Sequence, residues 1–327
     1  MKMFRRIWPY LLLALLLAAN VVAWSERQAI ADWWRLRDYQ ASSDIVSLAS
    51  DTTMTDKARH LFYVNHPSLE TKENFNQHCS DESQETAVLG CYRGNRQGIY
   101  IYAVTDTRLN GVRQVTAAHE MLHQAYDRLS PSQRNHIDAL LEDYYGHGLT
   151  DEAVKTKLDS YKKQPGTVLV NEMHSIFGTE VRDLPPELET YYKQYFADRL
   201  KVVSMREAYQ GEFTRRQDLV KQYDAQLADL KTQINSNKAT LEQDMNFLNA
   251  KEKAINQDVA SGNQSAYQAD VQTYNGMVGT YNTLLTTTRN LIAQHNDIVG
   301  KRNDLAVQEQ QLQQALDSRL SSPTAKQ

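Results

Sequence analysis

The chain has 327 residues, a formal net charge of −4 and a hydrophobic share of 41%. That length suits about one to three domains, and the apolar share supports one substantial core while excluding a membrane protein of many spans. The weak acidic balance, with no basic cluster after the first few residues, excludes nucleic acid as a main partner, because phosphate binding needs clustered positive charge.

Lys2, Arg5 and Arg6 precede an almost uncharged apolar run over residues 7–24. A helix needs roughly 20 apolar residues to cross a hydrocarbon core, so this run is at the short end of a membrane span. Positive charge ahead of it keeps the N-terminus in the cytoplasm and exports the rest. Trp8, Tyr10 and Trp24 suit the two interfaces of a retained anchor. Val21 and Ala23 form a passable cleavage site, which would make the chain secreted. The expectation is a signal anchor at residues 1–24, a single pass with the main body extracytoplasmic. Residues 25–50 follow as a juxtamembrane linker, with Ile30, Trp33, Trp34 and Leu36 on one apolar side of a short helix near the membrane. Cys79 and Cys91 are the two cysteines and are expected to pair in an oxidising compartment. Closing so short a loop contributes about 3 kcal/mol.

A short helix is predicted over 55–64 and ends at His66-Pro67, because the residue before proline disfavours the helical region. Residues 78–98 read as a polar loop held by the disulfide. The β-branched and aromatic run over 98–105 reads as a strand, and Asn110-Gly111 as a turn. A helix follows over 112–129. Ser130 caps the next, with Pro131 at its first position, and that helix runs to Tyr145. Thr150 caps a third that ends at Pro165-Gly166, and a fourth covers 168–181 before Pro185-Pro186 breaks it.

From residue 187 the texture changes. Apolar residues recur every seven positions at Val220, Leu227, Ile234, Leu241, Leu248 and Ile255, and again at Val271, Val278, Leu285, Ile292, Val299 and Ala306. This is a sustained heptad signature. With Ser261-Gly262-Asn263 between the two series, it predicts two long helices folded back as an antiparallel coiled-coil hairpin over 187–320. The first would run from 188 to 260 and reach on the order of 100 Å. A disordered tail is expected at 321–327. The hairpin suits a coiled-coil partner or a homodimer.

The chemistry is concentrated in His119-Glu120-Met121-Leu122-His123. A spacing of four on a helix puts both imidazoles on one face, where they can hold one tetrahedral Zn²⁺. Glu120 points to the side, in position to act as general base on a water activated by the metal. A third ligand must come from elsewhere. Glu172 is the first candidate, with His174, Glu180, Asp183 and His147 as others. His174 is also a candidate donor to a developing oxyanion, as are Tyr144 and Tyr145.

The motif, on a helix directly after a strand, resembles that of the zincin metallopeptidases. Metzincins carry Gly and His at the third and sixth positions after the second His; Tyr126 and Leu129 stand there, which excludes that class. The segment Asn171-Glu172-Met173-His174-Ser175-Ile176-Phe177-Gly178-Thr179 resembles the third-ligand helix of the thermolysin-like gluzincins. The resemblance covers two short segments and implies His119, His123 and Glu172 as zinc ligands with Glu120 as base. That family has an Asp four residues after its ligand Glu, supporting a zinc histidine. Here the position is Ile176, which leaves Glu180 as the nearest acid for the role. In zincins the strand before the active-site helix is an edge strand that pairs with substrate, which implies substrate pairing along Ile99, Tyr100, Ile101, Tyr102 and Ala103.

The expected architecture is α+β: a compact, mainly helical zincin-like catalytic domain with a small sheet over 51–186, then the helical hairpin. The expected activity is zinc-dependent hydrolysis of peptide or protein substrates outside the cytoplasm. The competing reading is a non-enzymatic envelope scaffold that acts through its coiled coil and carries a degenerate zincin domain. A narrower variant is hydrolysis of a non-peptide amide such as a cell-wall crosslink.

Overall fold

The computed structural model describes residues 20, 26–79, 88–94 and 97–320. The membrane-anchor, cleavage-site and tail expectations fall on residues outside these. Among the described residues, no helix is long and apolar enough to cross a membrane. The chain forms two compact units. One holds the described residues up to Gln210 and those from Gln314 on; the other is Gly211–Gln313.

The first unit opens with α1 (Arg27–Leu36), α2 (Ser43–Asp51) and α3 (Asp56–Tyr63). Ser42 and Thr55 cap α2 and α3 by accepting from Ile45 N and Ala58 N, as short polar side chains do at helix starts. Strand β1 (Ser68–Glu70), helix α4 (Lys72–Cys79) and strands β2 (Gly90–Arg93) and β3 (Gly98–Tyr102) follow. The central helix α5 (Val112–Asp127) comes next, then α6 (Pro131–Asp143), which Ser130 and Gln133 start with a capping box. A π turn at Tyr144–Gly148 leads to α7 (Glu152–Ser160), then to α8 (Gly166–Glu180) and α9 (Pro186–Tyr192). Asp151, and not Thr150, caps α7 through its carboxylate.

The sheet has the order β1-β3-β2, with β1 parallel and β2 antiparallel to β3. Alternation along β3 splits its side chains between two cores. Ile99 and Ile101 enter the main core with α5 and α8, whereas Tyr100 and Tyr102 face a smaller cluster of Phe75, Cys79 and Cys91. Cys79 and Cys91 form a disulfide with their Cα atoms 6.0 Å apart, so the expected pairing is present. The polar stretch read as a loop therefore contains a strand.

The order corrects the substrate-pairing expectation. Strand β3 is the middle of the sheet, so its backbone is engaged on both sides. Tyr102 N donates to Leu89 O at 2.8 Å, and Ala103 N donates to Glu70 O at 2.9 Å. Ile99, Tyr100, Ile101, Tyr102 and Ala103 therefore offer no free edge. The edges belong to β1 and β2.

The compact unit also reaches beyond 51–186. Ile45, Leu48 and Ala49 lie in the main core, and so do Leu188, Tyr192, Tyr195, Phe196 and Val202. The predicted continuous helix from 188 is broken after α9, where Thr55 N donates to Tyr195 O and Ala197 N to Thr53 O. Buried Arg199 then donates to the carbonyls of Val181 and Arg182 beyond the C-terminal end of α8 and pairs with Glu189. Two rings and a guanidinium that seat in the first unit outweigh the local preference for uninterrupted helix.

The long helices are α10 (Arg199–Ser261) and α11 (Gln264–Leu316). Within Gly211–Gln313, Asp224 pairs with Arg302 at 2.5 Å and Lys251 with Asp270 at 2.8 Å, which fixes them as antiparallel. Along α10 the inward positions alternate by three and four through Val220, Tyr223, Leu227, Leu230, Ile234, Asn237, Leu241, Asp244 and Leu248. The second series drifts at its end, where Leu305 turns inward and Ala306 is exposed.

Candidate metal centre

Helix α5 is buried on nearly every side: Val115, Ala118, Met121, Leu122 and Tyr126 all belong to the main core. It packs on the sheet and on α8. The crossing with α8 is close because Gly178 has no side chain; a Cβ there would meet Leu122 Cδ1 at 2.4 Å. Small residues at such contacts let backbones approach. That approach carries Glu172, six residues earlier on α8, up to the two histidines of α5.

His119, His123 and Glu172 meet with one ligand atom each within 4.8 Å of one another. The separations are 3.1 Å between the two Nε2 atoms, 3.5 Å from His119 Nε2 to Glu172 Oε2 and 3.6 Å from His123 Nε2 to Glu172 Oε1. Ligands about 2.0–2.1 Å from a tetrahedral ion stand about 3.3–3.4 Å from each other. The three distances bracket that value, so the donor set fits a tetrahedral cation with one position left over. Burial alone would raise the Glu172 carboxyl. The His123 and His119 imidazoles outweigh it, with Lys157 adding to them, and hold the group down to about 2. The carboxylate is therefore ionised, as a ligand must be.

The support for His123 comes from Asn171 and Ser175, which carry no motif of their own. With Nε2 facing the cluster, Nδ1 carries the proton and donates to Asn171 Oδ1 at 3.0 Å. Ser175 Oγ lies 3.2 Å from the same nitrogen. Asn171, Ser175 and Gly178 fall on one stripe of α8 by their spacing of four and three. That small and polar stripe beside Glu172 was the available signal. It supplies what the missing Asp at Ile176 would have supplied; Ile176 itself is in the core. Glu180 does not take the role. Its Oε1 accepts from Lys157 Nζ at 2.6 Å and its Oε2 faces Arg206 at 3.7 Å.

Glu120 is buried beside β2. A Cβ on Gly90 would lie 2.7 Å from Glu120 Oε1 and 2.5 Å from Thr116 Cγ2, so this strand accepts α5 only because position 90 is bare. On the same strand, Tyr92 OH bonds the side chain of Gln124, next to His123 in sequence.

The other candidates point away. His174 lies about 200° around the helix from Glu172, fully buried, with Nε2 2.8 Å from Tyr191 OH. Burial first, and then His123 and His119, lower it to about 3. It is a neutral core histidine among Tyr126, Tyr191 and Tyr192, and the oxyanion role expected for it is not supported. His147 is exposed and pairs with Asp143 at 3.0 Å. Asp183 is exposed, and its carbonyl accepts from Tyr144 OH at 2.7 Å. Tyr145 OH bonds Asp159.

Comparison of the chain with protein families, with curated proteins and with solved structures finds no match.

Proposed function

We propose that this chain is a zinc-dependent metallopeptidase of the zincin type, gluzincin-like in its ligand set, anchored by residues 7–24 and facing away from the cytoplasm. The observation that carries the reading is the convergence of His119, His123 and Glu172 at tetrahedral spacing. His119 Nε2, His123 Nε2 and a Glu172 carboxylate oxygen would hold the ion. Zinc supplies Lewis acidity to a scissile carbonyl and lowers the pKa of water toward about 7. Glu120, beside the ligands on α5, takes the proton from the attacking water and returns it to the leaving amine. The substrate backbone pairs with the outer edge of β2, which no strand occupies among the described residues.

The test is Glu120→Gln in the full chain, with zinc stoichiometry measured for it, for the parent and for Glu172→Ala. The expected result is one zinc in the parent and in Glu120→Gln, hydrolysis only in the parent, and weakened zinc in Glu172→Ala. Full activity in Glu120→Gln overturns the mechanism. Near-zero metal after purification without chelators overturns the metal centre and favours the scaffold reading. Peptides and wall fragments, assayed side by side, separate the two amide substrates.

A further inference from the structure

Helix α1 is built inside out. Its polar side faces the protein: Asp32, 3% exposed, accepts from Arg128 Nη2 at 2.7 Å and lies 3.2 Å from His60 Nε2. Arg35 Nε donates to Val64 O at 2.8 Å. The opposite side carries Ile30, Trp33 and Trp34, at 45%, 57% and 57% exposure, on one stripe by their spacing of three and four. A surface helix ordinarily buries its apolar stripe and exposes its charges. Here an ion pair anchors the helix and two adjoining indoles, 5.2 Å apart edge to face, are left outward.

Composition says what covers them. The chain has four tryptophans: Trp8 and Trp24 at the two ends of the apolar run, and Trp33 and Trp34 on α1. The remainder of the sequence, core included, has none. Tryptophan concentrates where a bilayer meets water, because its ring is apolar and its N–H needs a polar partner. Arg37, at the C-terminal end of the exposed stripe, pairs with Asp38 at 2.8 Å and lies over the Trp34 ring at 4.8 Å, so the patch is apolar and aromatic with its charge balanced locally.

We propose that α1 is an interfacial docking helix, which lays Ile30, Trp33 and Trp34 into the headgroup boundary of the membrane that residues 7–24 enter. The helix is tied to α5, which carries two of the three ligand candidates, by an ion pair. Asp32 holds Arg128 at the C-terminal end of α5, one helical turn beyond Gln124, the residue that follows His123. Docking α1 thus fixes the tilt of α5 and the height of the ligand cluster above the bilayer. The substrate class this selects is the membrane-proximal segment of an exported or membrane-bound protein. The inference rests on the reading of residues 7–24 as an anchor.

The experiment uses the full chain in lipid nanodiscs, with acyl chains brominated near the headgroup. Trp8→Phe/Trp24→Phe reports only on α1, and Trp33→Phe/Trp34→Phe only on the run. The expected result is a blue-shifted emission and loss of most of it to bromine in both variants. If only Trp33→Phe/Trp34→Phe is quenched, the anchor stands and the docking of α1 is overturned. Shielding of Trp33 and Trp34 from acrylamide without bromine quenching means a protein covers them, which also overturns it. If neither variant is quenched, the anchor reading and the inference both fail.

Discussion

Asn171 offers the sharpest test of the metal centre because it acts on the ligand candidate His123 without offering an atom to the ion itself. Its Oδ1 accepts from His123 Nδ1 at 3.0 Å, and Ser175 Oγ lies 3.2 Å from that nitrogen. The bond fixes the tautomer: with Nδ1 protonated, the Nε2 lone pair is free for the ion. Asn171→Leu removes the main acceptor and keeps the volume similar. The His123 ring is buried, so its N–H is left with the Ser175 hydroxyl alone. Partners of this kind are worth roughly 10–100-fold in metal affinity, or about 1.4–2.7 kcal/mol at 1.36 kcal/mol per decade. Zinc Kd, read by competition with a chromogenic chelator, is expected to rise by roughly 10–100-fold in Asn171→Leu and by less in Ser175→Ala. An unchanged Kd in a folded Asn171→Leu protein would refute the tautomer argument and with it the assignment of His123 Nε2 as a ligand.

Gly90→Ala forces a methyl against Glu120 and Thr116. Overpacking costs about 1–3 kcal/mol, and peptidase turnover should fall while zinc content stays near the parent's; calorimetry and metal analysis read the two effects separately. The Lys157–Glu180 pair makes a pH prediction. Burial opposes ionisation of Glu180, but Lys157 outweighs it and depresses the carboxyl. A depressed folded pKa contributes stability that is present above the ordinary carboxylate range and is lost as pH falls through the folded value. Lys157→Met should therefore cost about 1–3 kcal/mol at neutral pH, and the cost should shrink as pH falls below the ordinary carboxylate range and through the folded value, as urea melts along a descending pH series would show; a cost that does not change with pH would contradict it. In the hairpin, Asp244 stands at a seam position with a buried Oδ2 that has no hydrogen-bond partner. Asp244→Leu should stabilise this unit by about 1–3 kcal/mol, read as a higher melting temperature of the helical signal.

What the sequence disclosed follows the range over which each signal acts. His119 and His123 are legible because a spacing of four is a property of one helix. The heptads are legible because they repeat, and the spacing of inward positions along α10 follows them even through Asn237 and Asp244. Strands β1 and β2, of three and four residues, are too short to show alternation, and β2 exists through its pairing with β3. Helix α4 is almost wholly polar and turns only Phe75 and Cys79 inward, so its period is invisible. Sheet order is nonlocal, so nothing in the sequence distinguishes a central β3 from an edge strand. The roles of Asn171, Ser175 and His174 depend on how α8 rotates against α5. That rotation is set by the contact of Gly178 with Leu122, between elements far apart in the chain.

The same geometry bears on the choice between an enzyme and a scaffold. Two imidazoles and a carboxylate packed together in a largely buried site cost desolvation energy, and such groups are often replaced by apolar residues of similar size without loss of stability. A scaffold gains nothing by keeping them. A metal site keeps them because binding the ion to the folded chain stabilises it, by about 2.7 kcal/mol at a free zinc concentration of 100 Kd. The two readings therefore differ in sign under one pair of measurements. Without zinc, the combined variant His119→Leu, His123→Leu, Glu172→Leu should melt no lower than the parent. With zinc, the parent should overtake it by a few degrees, since about 1 kcal/mol moves a domain of this size by about 2–4 °C. A parent whose melting temperature ignores zinc, and which falls apart when the three residues become leucine, would make the cluster a structural polar network and the hairpin the working part of the chain.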